Sequence, residues 1–323
     1  MLDAHMHVHR QEHVPPLTEE LRAANWATAV SHPEYLVGDA EADYAALFPH
    51  SRVWRLQFGS VFRGTDIDAC NGYCAETSDR RHVWALAVLD PTWSAERLHE
   101  ALTAGGFSGV KPYWSLVPGA KQADVRLEDM VSPAQLEVLD ELGMVATIHV
   151  PGPERIRDAH TRDVLRRWRR RYENVALIVA HLGRAYCMPF AEAAFADLAG
   201  TDGLLLDCSA VLNPDVFELA FRTIGPQRIM WGTDFPVLVR LRGYRVWEGE
   251  TYRNVVSGDY PWNTDRKAPE VEARYTYFIY EALKAMREGA ERAGLTAGDL
   301  EDVFFNTAYA LLAGGSRNRE AGG

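Results

Sequence analysis

The sequence predicts an α/β fold, a (β/α)8 or TIM barrel, on three observations. Short apolar runs rich in Val, Ile and Leu alternate with longer segments of helical periodicity, which is typical of βα units around a parallel sheet. Eight such runs can be placed, as a closed barrel requires. The length of 323 residues lies within the range of one such barrel. We therefore predict a single domain over residues 1–323.

Each element is predicted from its own pattern. The eight strands are the apolar runs Leu2–Val8, Val53–Gly59, Val83–Leu89, Gly109–Tyr113, Val145–Val150, Ala176–His181, Leu204–Cys208 and Ile229–Thr233. Helical periodicity predicts helices at Ala95–Ala104, Ala134–Leu142, Thr161–Tyr172, Ala191–Leu198 and Pro214–Thr223 between strands, then at Glu270–Ala293 and Leu300–Ala313.

Two segments interrupt the regular alternation. Residues 9–52, after the first strand, contain about two additional helical patterns, and residues 235–268, after the eighth, are rich in Arg, Tyr, Trp, Gly and Pro. Loops that follow barrel strands all emerge at the same face, where the active sites of such barrels lie. We expect both insertions to cover that face.

The charge of the chain argues against nucleic acid as a partner. The formal net charge is −11, whereas a phosphate-binding surface needs an excess of Lys and Arg. The basic run Arg166–Arg171 is interpreted as the solvated face of a helix, because its apolar neighbours have helical spacing. A small molecule is the expected partner.

The cysteines and the hydropathy indicate an intracellular protein. Cys70, Cys74, Cys187 and Cys208 have no zinc-ribbon spacing, and so few cysteines fit a reducing cytoplasm. Cys70 and Cys74 would share one face of a helix, and Cys208 lies in an apolar run, so we expect core packing for these three. No apolar stretch approaches 18 residues, which predicts no signal peptide and no membrane span.

Histidines and an aspartate at strand ends are the candidate functional residues. His5 and His7 have the i, i+2 spacing that places two side chains on one face of a strand. By itself this pair does not establish a metal site. However, His149, His181 and Asp234 fall at the ends of three further predicted strands, and those ends converge at one mouth of a barrel. The combination predicts a metal centre there.

These motifs resemble those of the metal-dependent amidohydrolase superfamily, in particular its amidohydrolase-2 branch, which includes decarboxylases related to aminocarboxymuconate semialdehyde decarboxylase. The resembling segments are DAHMH, GVK, IHVPG, AHLG and GTDFP, in this order. The resemblance implies a divalent ion, with Zn2+ expected, bound by His5, His7, His149 and Asp234. It also implies that His181 and Asp234 are catalytic, His181 as an acid/base or substrate-orienting group.

Lys111 leaves the number of ions open. It is one of only four lysines and interrupts an apolar run. In binuclear members of the superfamily a lysine at this strand is carbamylated and bridges two metals, which would add Lys111 and His181 to the ligands. The branch that the chain resembles usually has one metal, so one ion is preferred. Alternatively, the unmodified lysine contacts substrate or a buried carboxylate.

Cationic and aromatic residues that follow the strands are candidates for substrate binding. The selected residues are Arg63, Tyr113, Trp114 and Arg184, with Tyr186, Arg240 and Arg242 as further candidates. Cations beside aromatic rings suit a small organic acid with a planar group. Three readings remain, in order of preference: a hydrolase, a lyase that releases carbon dioxide, and a metal-free or non-catalytic barrel. A homodimer is a further possibility, with exposed aromatics of the 235–268 insertion reaching a neighbour.

Overall fold

The computed structural model of the chain describes residues 1–19 and 34–320 and shows a (β/α)8 barrel. Eight parallel strands follow one another in chain order: β1 Leu2–His7, β2 Trp54–Phe58, β3 Val83–Val88, β4 Gly109–Lys111, β5 Val145–Ile148, β6 Ala176–Val179, β7 Leu205–Asp207 and β8 Ile229–Met230. The sheet closes where the amide of Ala4 donates to the carbonyl of Trp231 and Met6 pairs with Phe235. The fold prediction is confirmed.

Several strands are shorter than predicted at their carboxyl ends. Tyr113, His149, His181 and Thr233 lie just beyond β4, β5, β6 and β8. At that end the backbone leaves the hydrogen-bonded sheet to form the loops around the mouth. The apolar pattern of the sequence nevertheless continues past the last paired residue. These residues therefore lie in the loops that surround the mouth.

The helices alternate with the strands, and most of them pack against the outside of the sheet. They are α1 Val37–Leu47, α2 Ile67–Glu76, α3 Ala95–Gly105, α4 Leu127–Met130, α5 Pro133–Glu141, α6 Ala159–Arg171, α7 His181–Arg184, α8 Met188–Glu192, α9 Phe195–Ala199, α10 Pro214–Thr223, α11 Val237–Arg240, α12 Pro269–Glu272, α13 Phe278–Ala293, α14 Ala297–Glu301 and α15 Thr307–Glu320, with a π-helical turn at Asp302–Asn306. One apolar cluster lies between the sheet and the helices, and a second fills the barrel interior.

Two predicted helices are each divided in the structure. The predicted helix Ala191–Leu198 is replaced by α8 and α9, because Ala194 leaves helical geometry at φ −126°. The predicted helix Glu270–Ala293 is replaced by α12 and α13. Between these two, Tyr277 is extended and pairs with Arg242, and the amide of Phe278 donates to Leu241. Tertiary pairing thus overrides helical periodicity at this point.

The insertion after β8 contains a β-hairpin that sequence periodicity did not reveal. Its strands are β9 Gly243–Glu248 and β10 Thr251–Val256, paired antiparallel. The Trp247 indole donates to the carbonyl of Tyr186, 2.9 Å away, which ties the hairpin to the segment after β6. In the insertion after β1, α1 accounts for one helical pattern, and the rest of the predicted pattern falls partly in residues 20–33, outside the described residues.

Two smaller predictions, the core packing of three cysteines and the exposed face of a basic helix, also hold. Cys70, Cys74 and Cys208 are buried and free, as their predicted core packing requires. Arg167, Arg170 and Arg171 are exposed on α6, opposite its buried apolar residues. Within the described ranges, no helix combines the length and the apolar character needed to cross a membrane.

A substitution at Gly289 tests the packing of α13 on α10. A Cβ atom added there would lie 2.5 Å from the Cβ of Phe217 and 2.8 Å from the amide nitrogen of Glu218. We expect Gly289→Ala to lower the free energy of unfolding by about 1–3 kcal/mol, because the two helices must separate. Denaturant unfolding monitored by circular dichroism measures the change.

The matched control is Gly72→Ala on α2, where an added Cβ meets no atom within 4 Å. Alanine has the better helix propensity by about 0.5–1 kcal/mol, so this variant should be slightly more stable than the wild type. Wild-type stability of the Gly289→Ala variant would contradict the close approach of the two helices.

Candidate active site

A β-bulge in β1 turns His5 and His7 toward the barrel interior. Asp3 pairs with Arg55 and Met6 with Gln57, so β1 contains one more residue than β2 over this stretch. An extra residue exchanges the faces to which later side chains point. Consequently Leu2 and Ala4 fill the interior before the bulge, and His5 and His7 face it afterwards, both against the ring of Phe58. The alternation of a regular strand does not predict this switch.

The two imidazoles and one carboxylate converge at the mouth. The Nδ1 of His5 lies 2.9 Å from the Oδ2 of Asp207, and the Nδ1 of His7 lies 3.0 Å from the carbonyl of Gly59. With both Nδ1 atoms engaged, the Nε2 atoms point to a shared position. They lie 3.6 and 3.7 Å from the same Oδ1 of Asp234. The amide of Asp234 in turn donates to the carbonyl of His5.

The chemistry of this donor set fits a divalent cation. Burial lowers the pKa values of His5 and His7 well below their usual range, so both rings are neutral and offer a lone pair. Burial also raises the pKa of Asp234, an effect opposed by the charge of Lys111. A cation bound by the three groups would stabilise the buried carboxylate. Nitrogen and oxygen donors of this kind suit zinc and other first-row divalent ions.

Lys111 is fully buried beside the same imidazole. Its Nζ lies 3.4 Å from the Nε2 of His5 and 4.7 Å from the ring centre of Phe58. Burial lowers the pKa of Lys111, and the charges of Asp207 and Asp234 oppose that shift. The lysine, as an amine or after carbamylation, therefore lies beside the position at which His5 would bind an ion.

His149 lies in the mouth but apart from the closest ligand groups. Among the described residues, potential ligand atoms come within 4.8 Å of one another in two groups: His5, His7 and Asp234, and His5, His181 and Asp207. His149 belongs to neither group. Its ring centre is 4.6 Å from that of Tyr113 and 5.4 Å from that of His181, and its Nδ1 has no hydrogen-bond partner in the described structure. The ligand role of His149 stays a prediction.

Asp207, which sequence reasoning did not select, orients two histidines. Its Oδ2 accepts from His5, and its Oδ1 accepts from the amide of His181 at 3.0 Å and from the hydroxyl of Ser209 at 2.5 Å. Because the Ser209 hydroxyl donates to Asp207, the Nδ1 of His181, 2.9 Å from that hydroxyl oxygen, is itself a donor. The Nε2 of His181 is left as an acceptor, since burial keeps the pKa of the ring well below 6.5.

The site opens into a cavity of about 120 Å³. This is comparable to an engineered cavity of about 150 Å³ that admits benzene. The lining residues include the site histidines and Asp234 together with Phe62, Tyr113, Tyr186 and Arg245. A small planar molecule in this cavity would therefore contact the aromatic rings as well as the candidate metal ligands.

Some of the predicted substrate-binding residues line the cavity, and others lie outside it. Tyr113 lines the cavity, as does Tyr186. Arg63 is exposed and donates to the carbonyls of Ser115 and Ala120. Further residues of the predicted set lie outside the lining: Trp114 is in ring contact with Tyr113 at 5.9 Å, Arg184 donates to the carbonyls of Val150 and Gly152, and Arg240 and Arg242 are exposed.

Fold and site together define a barrel enzyme of the metal-dependent type, with histidine and aspartate side chains gathered at the carboxyl ends of its strands. The family model for amidohydrolases matches residues 2–253, and the chain belongs to this family. The resemblance noted in the sequence is thereby confirmed. Members of the family are metal-dependent enzymes that include hydrolases and decarboxylases. Among curated proteins, no sequence matches this chain.

Solved structures share the fold at low identity. A Pseudomonas putida protein named for 2-pyrone-4,6-dicarboxylic acid hydrolysis is 19% identical, with 97% of each chain covered and a TM-score of 0.56. A Burkholderia multivorans amidohydrolase with bound zinc is 13% identical over 97% of this chain and 98% of its own, with a TM-score of 0.58. The manganese-bound 5-carboxyvanillate decarboxylase of Novosphingobium aromaticivorans is 13% identical over 85% of this chain and 80% of its own, with a TM-score of 0.51.

Proposed function

We propose that the chain is a metal-dependent hydrolase of a small organic substrate that is carboxylated and has a cyclic ester or amide-type bond. The observation that carries this proposal is the convergence of the His5 and His7 Nε2 atoms on one oxygen of Asp234 inside the cavity. Family membership supports it. The proposed ion is Zn2+, and a single ion is preferred.

The residues divide into holding and proton-moving roles. His5, His7 and Asp234 would hold the ion, with His149 as the proposed fourth ligand. When bound, a divalent ion polarises a substrate carbonyl and makes a water molecule more acidic. Asp234 is placed to accept a proton from a water molecule at the centre, because its Oδ1 lies where the two histidine Nε2 atoms converge. His181 keeps its Nε2 free for a substrate oxygen, since Ser209 engages its Nδ1.

Decarboxylation of a small aromatic or unsaturated acid is the second candidate. The specific observation in its favour is the aromatic lining by Phe62, Tyr113 and Tyr186, which would hold a planar ring while its carboxylate leaves. One decarboxylase among the solved structures that share the fold is named for 5-carboxyvanillate. In this case the Nε2 of His181 would first accept a proton from a substrate hydroxyl or from water, and would then deliver it to the ring carbon that loses carbon dioxide.

Product analysis with metal-loaded protein distinguishes the two reactions. The substrate panel contains 2-pyrone-4,6-dicarboxylate and simple lactones and amides on one side, and 5-carboxyvanillate and hydroxybenzoates on the other. For a hydrolase we expect loss of ring absorbance and uptake of water without release of carbon dioxide. Release of carbon dioxide from the acids, with no turnover of the esters or amides, would replace the first candidate by the second.

A further inference from the structure

The hairpin after β8 directs one arginine into the molecule. Along β9, Tyr244 is 39% exposed whereas Arg245 is only 4% exposed, as expected when successive side chains alternate between two faces. Gly243 fixes the start of this strand, because an added Cβ would lie 2.0 Å from the carbonyl oxygen of Val255. The side chain of Arg245 therefore lies on the buried face of the hairpin, which is turned toward the barrel mouth.

Neutral groups hold the guanidinium in place. Its Nε donates to the side-chain oxygen of Asn254, the cross-strand partner of Arg245, at 3.0 Å. Its Nη1 donates to the carbonyl of Ala210 at 3.1 Å, next to the serine that orients His181. The ring of Tyr252 stacks on the guanidinium, with its centre 4.0 Å from Cζ. These contacts fix the orientation of the charge but do not neutralise it.

Among the described residues, the third guanidinium nitrogen of Arg245 has no hydrogen-bond partner. In the described part of the chain, Nη2 is buried without a hydrogen bond, and no carboxylate forms an ion pair with this arginine. A second cation, Arg155, lies over the same Tyr186 ring, each guanidinium carbon being 5.4 Å from the ring centre. A buried charge without a counter-charge costs several kcal/mol, and an anion bound beside the guanidinium would offset this cost.

Arg245 lines the same cavity as His5, His7 and Asp234. We infer that Arg245 is a specificity-determining residue whose guanidinium binds a carboxylate of the substrate, at a position separate from the histidine and aspartate centre. This inference rests on the proposed function, in that it takes the cavity to be the substrate site. A role confined to anchoring the hairpin would explain the contacts of Nε and Nη1, but not a buried guanidinium that lines the cavity without a counter-charge among the described residues.

Two binding probes that differ in one group test the inference. Benzene-1,3-dicarboxylate and its monoamide, 3-carbamoylbenzoate, have nearly the same shape, and each retains one carboxylate for the metal centre. Isothermal titration of the zinc-loaded protein gives both dissociation constants. We expect the dicarboxylate to bind about 10-fold more tightly, because a charge-assisted hydrogen bond replaces a neutral one.

Variants assign the preference to one side chain. Arg245→Gln should bring the two dissociation constants to within about threefold of each other. Arg253→Gln is the control, because it removes one positive charge from the exposed face of the same hairpin and should leave the preference intact. Retention of the preference in Arg245→Gln would overturn the assignment.

The wild-type comparison needs no variant, so it remains decisive if Arg245→Gln fails to fold. Equal affinity for the two probes, or no binding of the dicarboxylate, would overturn the inference. The binding test of Arg245 and the turnover test of the proposed function can fail independently. A preference without turnover of any panel substrate supports the role of Arg245 and counts against the hydrolase, whereas turnover without the preference overturns the role of Arg245 alone.

Discussion

Replacing His5 with alanine is expected to release the bound metal and to reduce kcat/KM by roughly 10³-fold, because metal-ion catalysis contributes several kcal/mol to transition-state stabilisation. The imidazole is central to the site. Its Nε2 lies 3.6 Å from the Oδ1 of Asp234 and 3.4 Å from the Nζ of Lys111. Without it, His7 and Asp234 remain of the group of three candidate ligands. Inductively coupled plasma mass spectrometry gives the metal content, and turnover of a panel substrate gives kcat/KM.

His160→Ala is the matched control, because this histidine lies on α6 with 41% of its side chain exposed. Its metal content and activity should equal those of the wild type. Wild-type metal content in the His5→Ala variant would refute the assigned centre. A wild-type value near two ions per chain would instead replace the single-ion preference by the binuclear arrangement with Lys111 and His181. Protein that turns over substrate without a stoichiometric ion would favour the metal-free reading.

The architecture was predictable from sequence because each barrel strand is buried on both faces and therefore appears as a continuous apolar run. The eight predicted runs correspond to β1–β8, with errors mainly at the carboxyl ends. Periodicity failed where long-range pairing determines the backbone. Residues near 277 and the hairpin β9–β10 owe their conformation to partners that are distant in sequence or across a turn, and no local pattern records those partners.

The prediction of the site had a similar limit. Strand-end polar residues that interrupt apolar runs, such as His5 and His181, were identifiable, and the structure brings them to one mouth. Asp207 carries the same signal at the end of the Leu204–Asp207 run, so it could have been selected by the same criterion. Arg245 carries no such signal, because its burial follows from a hairpin whose position over the mouth depends on tertiary contacts.

Asp207→Asn tests whether this carboxylate positions the metal-binding imidazole. The Oδ1 of Asp207 accepts from the amides of His181 and Ser209 and from the Ser209 hydroxyl, so in the variant the amide oxygen will stay on that side. The amide nitrogen then faces the Nδ1 of His5, and two donors oppose each other. His5 relieves the conflict by moving its proton to Nε2, which removes the lone pair that a metal needs.

We expect Asp207→Asn to weaken metal affinity by about 10–100-fold, with a parallel loss of activity at limiting metal. Competition with a chelator of known affinity measures the dissociation constant on folded protein, a readout that loss of stability alone would not change. Ser209→Ala is the matched control. It removes one hydrogen bond to Oδ1 but leaves the 2.9 Å contact between Asp207 and His5, so its metal affinity should stay within about threefold of the wild type. If Asp207→Asn binds metal as tightly as the wild type, the carboxylate stabilises the barrel without setting the tautomer of His5. If both variants lose affinity equally, the serine and the loop after β7 position the ligand as much as the carboxylate does.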